Sequence, residues 1–367
     1  MAIARILREQ SVGETRWLAL DSGDRPVALY VERSCATPAV LGARLEGRIG
    51  KTEPGAGGTF ITLPGSDSAF LRTDHRQNVA FRSDHRQNVA FRFTSPPSEG
   101  TRVSVEIVSE ARSGKLPRVN LVAPDAAPEM AGADAWRSHL KGGSAARVED
   151  AAPGDPVVSA AFEDALRPEV TLPGGGQLYI ERTRALTAAD IDSAGRMMKG
   201  SAGARALSLN REAAAELARQ ILLRGLGGLV VLDCVSPIAG DGAAKIRAAF
   251  TETWEGLTAR RAKALVPSAL GLMEVSADWW ITPLAERMLD TAGAPTPETL
   301  ALEGLRQLEK AARQDRMARL ALALPQAAHD WLAASGLDAP ALLAARYGAR
   351  LSIGVHGRTG FEVCPTP

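Results

Sequence analysis

Ala185-Leu-Thr-Ala-Ala-Asp-Ile-Asp-Ser-Ala-Gly-Arg196 and Gly227-Gly-Leu-Val-Val-Leu-Asp233 are the two stretches on which the reading of this chain turns. Each is a short apolar run of strand character that ends in carboxylates. If the two strands lie side by side, Asp190, Asp192 and Asp233 gather at one sheet edge. Like charges so placed are unfavourable unless protons or a cation neutralise them. A hard divalent ion such as Mg²⁺ suits the pattern, because it takes one or two carboxylates while keeping waters and binding phosphate oxygens. That is the chemistry of phosphodiester hydrolysis.

Working outward, Val170-Thr-Leu-Pro-Gly-Gly-Gly-Gln-Leu-Tyr-Ile-Glu181 reads as strand, glycine turn, strand. The triple glycine lacks the strand-to-helix setting and the Lys of a P-loop, so a hairpin turn is the better reading. Between the two carboxylate strands, Asn210 is a fair N-cap for a helix over 211–224, with Ala214, Leu217, Ile221 and Leu222 as its apolar stripe and Gly225 as its stop. A second helix after Asp241 carries Ile246, Phe250, Trp254 and Leu257 at helical spacing. Leu270-Gly-Leu-Met-Glu-Val275 then returns as a strand. Strands alternating with helices imply a layered sheet with its site at strand ends.

Upstream, residues 15–34 predict two strands joined at Asp21-Ser-Gly-Asp24. Residues 45–122 hold several short strands with glycine-rich turns, which suits a small barrel such as an OB-fold. Surface aromatics of such barrels stack on bases and basic residues track the backbone, making Phe60, Phe70 and Lys51 candidate RNA contacts; either Phe could equally be core. A tandem copy, Thr73-Asp-His-Arg-Gln-Asn-Val-Ala-Phe-Arg82 and Ser83-Asp-His-Arg-Gln-Asn-Val-Ala-Phe-Arg92, lengthens one barrel loop. Residues 123–156 have linker composition with a short helix around Trp136, and the chain after Ala292-Gly-Ala-Pro-Thr-Pro297 reads as a compact α+β module.

Composition sets bounds on these readings. The 367 residues, 45% hydrophobic and 23% charged, predict two or three domains. A net charge of +1 supplies no global attraction for nucleic acid, so any contact must be local. Three cysteines, Cys35, Cys234 and Cys364, with no Cys-x-x-Cys pair, argue against a disulfide framework or a zinc knot within one chain. The first ten residues are charged too often for a signal peptide and no run of about eighteen apolar residues occurs, so a cytoplasmic protein without a membrane span is expected. His139, His329 and His356 are scattered and no Gly-x-Ser-x-Gly elbow is present, which leaves an α/β-hydrolase nucleophile with little support.

The run Leu172-Pro-Gly-Gly-Gly-Gln-Leu-Tyr-Ile through Asp192-Ser, then Leu217 to Asp233, then Gly271-Leu-Met-Glu-Val-Ser276 resembles the ribonuclease E/G family of endoribonucleases. The resemblance implies a multidomain α/β plus β-barrel fold. Residues 1–41 would be N-terminal strands of a reduced ribonuclease H-like part, 42–123 an OB-fold RNA-binding domain, and 124–168 a linker with the remainder of the ribonuclease H-like part. Residues 169–290 would be a deoxyribonuclease I-like catalytic subdomain and 291–367 a small C-terminal domain. It also implies a Mg²⁺-dependent cut of single-stranded RNA, in RNA processing or decay. Asp190 and Asp233 would be metal ligands, Asp192 an auxiliary catalytic group, and Arg196, Lys199 and Arg211 phosphate contacts.

Four departures accompany the likeness. Asp192 stands where the family usually has Asn, and the segment after Val122 has no clear 5′-monophosphate pocket. The Cys-containing zinc link is missing from residues 285–300, so any homo-oligomer would form without it. Ala277-Asp-Trp-Trp280 replaces basic residues. An RNA-binding protein on the same scaffold that cuts little or nothing is the alternative.

Overall fold

A computed structural model of the chain describes residues 2–72, 98–112, 114–123, 130–193, 195–196 and 200–366. The tandem copy at 73–92 and Lys199 lie outside the described residues. The protein is a mixed α/β chain that divides into two compact units. The first comprises Met1–Ala36, Arg137–Trp279 and Pro283–Pro367; the second comprises Thr37–Trp136 and Trp280–Thr282.

The first unit opens with β1 (Ile3–Ser11), β2 (Glu14–Asp21) and β3 (Pro26–Arg33). The turn at 21–24 falls where the sequence places it, with the Asp21 carboxylate accepting from the Gly23 and Arg25 amides. The β1 strand itself was not legible, because Arg5 and Arg8 interrupt its apolar positions. Both are half-buried on this inner strand and pair with Asp24 and Asp150.

The second unit is a closed barrel. Its strands are β4 (Arg44–Glu53), β5 (Gly58–Thr62), β6 (Ser68–Arg72), β7 (Arg102–Ser109) and β8 (Arg118–Val122), in the order β4-β5-β6-β8-β7 with β7 closing on β4. Ile49, Ile61, Ala69, Val105, Ile107 and Val119 fill it. A closed five-stranded barrel with short strands is consistent with the OB-type architecture read from the sequence. The helix expected around Trp136 is α1 (Ala133–Ser138).

Returning to the first unit, β9 (Arg147–Ala151) lies parallel to β1 and completes the sheet β3-β2-β1-β9. The stretch read as linker therefore contains a strand. Helix α2 (Pro156–Leu166), capped by Asp155 through the Val157 and Val158 amides, covers Leu18, Leu20 and Leu29 with Val158 and Phe162. Next come β10 (Glu169–Thr171), β11 (Gln177–Arg182) and β12 (Thr187–Asp192), helix α3 (Ala202–Leu223), β13 (Gly228–Asp233), helix α4 (Gly242–Leu257), β14 (Ala262–Ala264) and β15 (Leu272–Ala277). They form one six-stranded sheet in the order β10-β11-β12-β13-β15-β14. The crossover helix starts at Ala202, well before the expected Asn210. Ser201 is the N-cap, accepting from Ala204, and Asn210 is buried in mid-helix.

After α5 (Leu284–Met288), the chain ends in α6 (Pro297–Gln314), β16 (Leu320–Pro325), α7 (Gln326–Ala334), α8 (Ala339–Tyr347), β17 (Leu351–His356) and β18 (Glu362–Pro365). The strands order as β17-β16-β18, with Leu305, Leu308, Leu322 and Leu324 in the core beneath α6. The short β18 was not foreseen; its Glu-Val-Cys-Pro sequence offers too few positions for periodicity.

A buried charge cluster fastens α6 to the first sheet. Glu14 accepts from Arg16 at 2.9 Å, Arg33 at 2.7 Å and Arg306 at 2.6 Å, with the side chains of Glu14 and Arg306 fully buried. Burial alone would raise the Glu14 carboxyl, but the three guanidinium groups outweigh it and hold it at about 2. Glu9 forms an ion pair with Arg306 at 3.2 Å and accepts from the Gly154 amide at 2.5 Å; there burial dominates and pushes the carboxyl above its ordinary range despite Arg306 and Arg16. Glu309 takes the Val12 amide at 2.7 Å, and Arg346 and Tyr347 on its other oxygen. Among the described residues no helix is long and apolar enough to cross a membrane.

Candidate active site

The carboxylate strands are neighbours. β12 and β13 run parallel, pairing Thr187 with Val230, Ala188 with Val231 and Ala189 with Leu232, whereas the other neighbours in this sheet are antiparallel. Asp190 and Asp233 are the next residue on each strand, and ordinary strand spacing sets positions so related about 5 Å apart in backbone. Residues Ala189, Ile191, Val230 and Leu232 are buried, while Asp190, Asp192 and Asp233 are exposed. Strand alternation therefore puts all three carboxylates on the open face.

Several groups fix these strand ends. Asn210, fully buried on α3, accepts from the Val235 amide and donates to the Val235 carbonyl, both at 2.8 Å. That two-point clamp holds the chain two residues past Asp233. The sequence signal was present as an amide inside an apolar helical stripe, but it reads equally well as a cap. The Gly271 carbonyl accepts from the Cys234 amide at 3.1 Å, and Gly271 has φ +87, where a side chain would be strained. Burial, reinforced by Asp233, pushes the Cys234 thiol up to about 12, which disfavours the reactive thiolate at neutral pH.

On the other side, Gly174, Gly175 and Gly176 form the hairpin turn between β10 and β11, the last two at φ +88. Glu212 of α3 accepts from the Gly174 amide and pairs with Arg196 at 2.6 Å, and Arg196 also donates to the Gly175 carbonyl at 3.2 Å. A Cβ at Gly174 would strike both side chains. The Arg196 side chain is only 10% exposed, so its charge is committed to Glu212 and to holding the loop after β12.

This donor set fits a hard divalent ion. Asp190 accepts from the Ile191 amide at 2.9 Å, which leaves lone pairs for a cation, and Asp233 has no cationic partner among the described residues. Among the described residues no three His, Cys, Asp or Glu side chains converge on one metal position. One or two carboxylates suffice for a hard divalent ion that fills the rest of its shell with water and phosphate oxygens. Asp192 lies on the same face two residues beyond Asp190.

The other sequence-derived residues are dispersed. Arg211 is exposed on α3 and lines a groove toward Ala249 and Glu252 of α4. At the far end of β13, Trp279 fills the space where Gly227 and Gly228 lack side chains, and the Arg182 guanidinium lies 5.4 Å from its ring centroid. In the barrel, Phe60 and Phe70 are opposed on β5 and β6, with ring centroids 5.6 Å apart at 70°. Phe60 is 36% exposed and neither ring belongs to the barrel core. A Cβ at Gly58 would collide with the Phe70 ring, so that glycine lets the ring lie over the strand. Lys51 is exposed and 3.5 Å from Glu53.

The ribonuclease E/G family model matches residues 151–278, which contain the carboxylate strands, Asn210 and the glycine turn. Ribonuclease E of Escherichia coli strain K12 is 34% identical over 169 residues, covering 43% of this chain and 16% of that protein. Ribonuclease E of Haemophilus influenzae is 34% identical over 179 residues, covering 46% and 19%, and ribonuclease E of Synechocystis sp. is 32% identical over 151 residues, covering 41% and 22%. The similarity to this chain thus spans less than a quarter of the length of each of these curated relatives.

Proposed function

The chain belongs to the ribonuclease E/G family through residues 151–278, and from that premise we propose that it is a Mg²⁺-dependent endoribonuclease hydrolysing phosphodiester bonds in single-stranded RNA. The observation that carries the reading is the placement of Asp190 beside Asp233 within the family-matched residues. These two carboxylates would hold the ion. When bound, the metal supplies an activated water and charge stabilisation at the phosphorus, leaving 5′-phosphate and 3′-hydroxyl ends. Asn210 keeps Asp233 in place from behind, Arg196 and Glu212 fix the loop after Asp192, and Asp192 orients the group at the open side of the pair. Arg211 and Lys199 are assigned to phosphate contact.

In the same reading the barrel is the OB-fold RNA-binding domain at 42–123, with Phe60 and Phe70 stacking bases and Lys51 following the backbone. Residues 1–41 and 124–168 form the reduced ribonuclease H-like part, 169–290 the deoxyribonuclease I-like subdomain and 291–367 the small C-terminal domain. The site of action is the cytoplasm, and any homo-oligomer forms without a zinc link. A second reading, RNA binding without cleavage, draws on Asp192 standing where the family has Asn and on Trp279 packing where it has basic residues.

Incubation of fluorescent single-stranded RNAs with Mg²⁺, Mn²⁺ or EDTA separates the two. Metal-dependent cutting with 5′-phosphate products supports the first. Tight binding with intact RNA in every metal, relieved by Asp192→Asn, supports the second.

A further inference from the structure

Among the described strand residues, the open face of the six-stranded sheet holds one aromatic side chain. Its described strand positions are Glu169 and Thr171 on β10, Gln177, Tyr179 and Glu181 on β11, and Ala188, Asp190 and Asp192 on β12. Leu229, Val231 and Asp233 follow on β13, then Leu272, Glu274 and Ser276 on β15 and Lys263 on β14. Tyr179 is paired directly with Asp190 across the antiparallel β11–β12 ladder, which places the two Cβ atoms about 5 Å apart on that face. Ala188, Val231 and Leu272, each half-buried, make an apolar strip beside the carboxylates.

Tyr179 is half-buried, and its side chain makes no hydrogen bond, ion pair or ring contact with another described residue. Such a phenol keeps part of its ring and its hydroxyl without a partner among the described residues, next to a proposed phosphate site. Around Tyr179 the face is acidic, with Glu169, Glu181, Asp190 and Asp192 on its own and the adjoining strands, so direct phosphate contact contributes little at that position. An aromatic plane is what such a face can still offer a nucleotide, because every base has a π-face and stacking needs no cation.

We propose that Tyr179 is a base-stacking residue of the cleavage site, gripping the nucleobase adjoining the phosphate held at Asp190 and Asp233. This rests on the RNA-cleaving reading of the same carboxylates and adds how the substrate is seated there. The contact discriminates little among bases and depends weakly on salt, in contrast to phosphate contacts.

The test compares wild type, Tyr179→Phe and Tyr179→Ala on a fluorescein-labelled single-stranded RNA and on the same RNA with a single abasic nucleotide beside the cut. KM and kcat are read with Mg²⁺, and anisotropy is read with Ca²⁺ after gel confirmation that the RNA is intact. Tyr179→Ala is expected to raise KM and the dissociation constant about ten-fold on intact RNA. Tyr179→Phe should match wild type, and the alanine penalty should vanish on the abasic RNA. An equal alanine penalty on both RNAs, or a Phe variant as poor as Ala, overturns the proposal in favour of a structural or hydroxyl role. Cutting by wild type that is indifferent to Tyr179→Ala overturns the proposal and leaves the nuclease reading standing. Tyr179-dependent binding without any cutting does the reverse, and absence of both binding and cutting overturns the two together.

Discussion

Asp190 and Asp233 each stand one residue past Ala189–Leu232, the last pair of the parallel β12–β13 ladder. The strand beyond each is antiparallel, so the carboxylate pair sits at the junction where the sheet changes direction. Crossover helix α3, which joins the two strands, also carries the amide that clamps the chain after Asp233. One helix therefore makes the strands parallel and fixes the second carboxylate.

Asn210→Ala removes both hydrogen bonds to Val235. Loss of one buried partner costs about 1–3 kcal/mol, so the variant should melt several degrees lower. Its cleavage rate should fall further than a surface helix substitution of equal thermal cost, because the Asp233 strand end loses its brace. Thermal unfolding and single-turnover cleavage of the same preparations check this.

Phe60→Ala and Phe70→Ala act outside the barrel core, so they should leave the melting temperature nearly unchanged. Base stacking of about 1–3 kcal/mol per aromatic corresponds to roughly ten-fold weaker RNA binding for each. Anisotropy at two salt concentrations reads the loss, and an unchanged salt slope separates stacking from phosphate contact.

Glu14 and Glu9 should respond to acid with opposite signs. Glu14 is held at about 2, below its unfolded value of 4.5, so its stabilisation is complete above the unfolded value and drains away as pH falls toward 2. Glu9 is raised, so protonation favours the folded chain as pH falls through its folded value. Glu14→Gln should therefore cost much more stability at neutral pH than Glu9→Gln and should flatten the acid limb. Urea midpoints across that pH range measure both.

Trp279→Ala opens the space above Gly227 and Gly228 and frees the Arg182 guanidinium. A half-buried indole in such a position is worth about 2 kcal/mol. Stability should drop by that order, while RNA affinity stays within two-fold of wild type, as measured by urea titration and anisotropy.

The sequence carried the barrel, the glycine hairpin and the carboxylate strands because each is written in local chemistry: alternation in Val103, Val105 and Ile107, three consecutive glycines, and acids closing apolar runs. It did not carry β1 and β9, whose pairing is long-range and where Arg5 and Arg8 of β1 find their partners only in Asp24, Glu149 and Asp150. Asn210 was read as a cap because amides are common there; only the tertiary partner at Val235 reveals the buried role. The buried Glu14 cluster was likewise illegible, since its members come from β2, β3 and α6, far apart in the chain.

The central claim is that Asp190 and Asp233 act together on RNA, and the most direct measurement is cleavage of a fluorescent single-stranded RNA by the Asp190→Asn and Asp233→Asn variants. Circular dichroism and anisotropy first establish that each variant folds and binds. The account predicts Mg²⁺-dependent cutting by wild type, abolished by EDTA, and a fall of at least about a hundred-fold in each variant with RNA affinity retained. Undiminished cutting by folded, RNA-binding variants would contradict it and move the chemistry away from this strand pair.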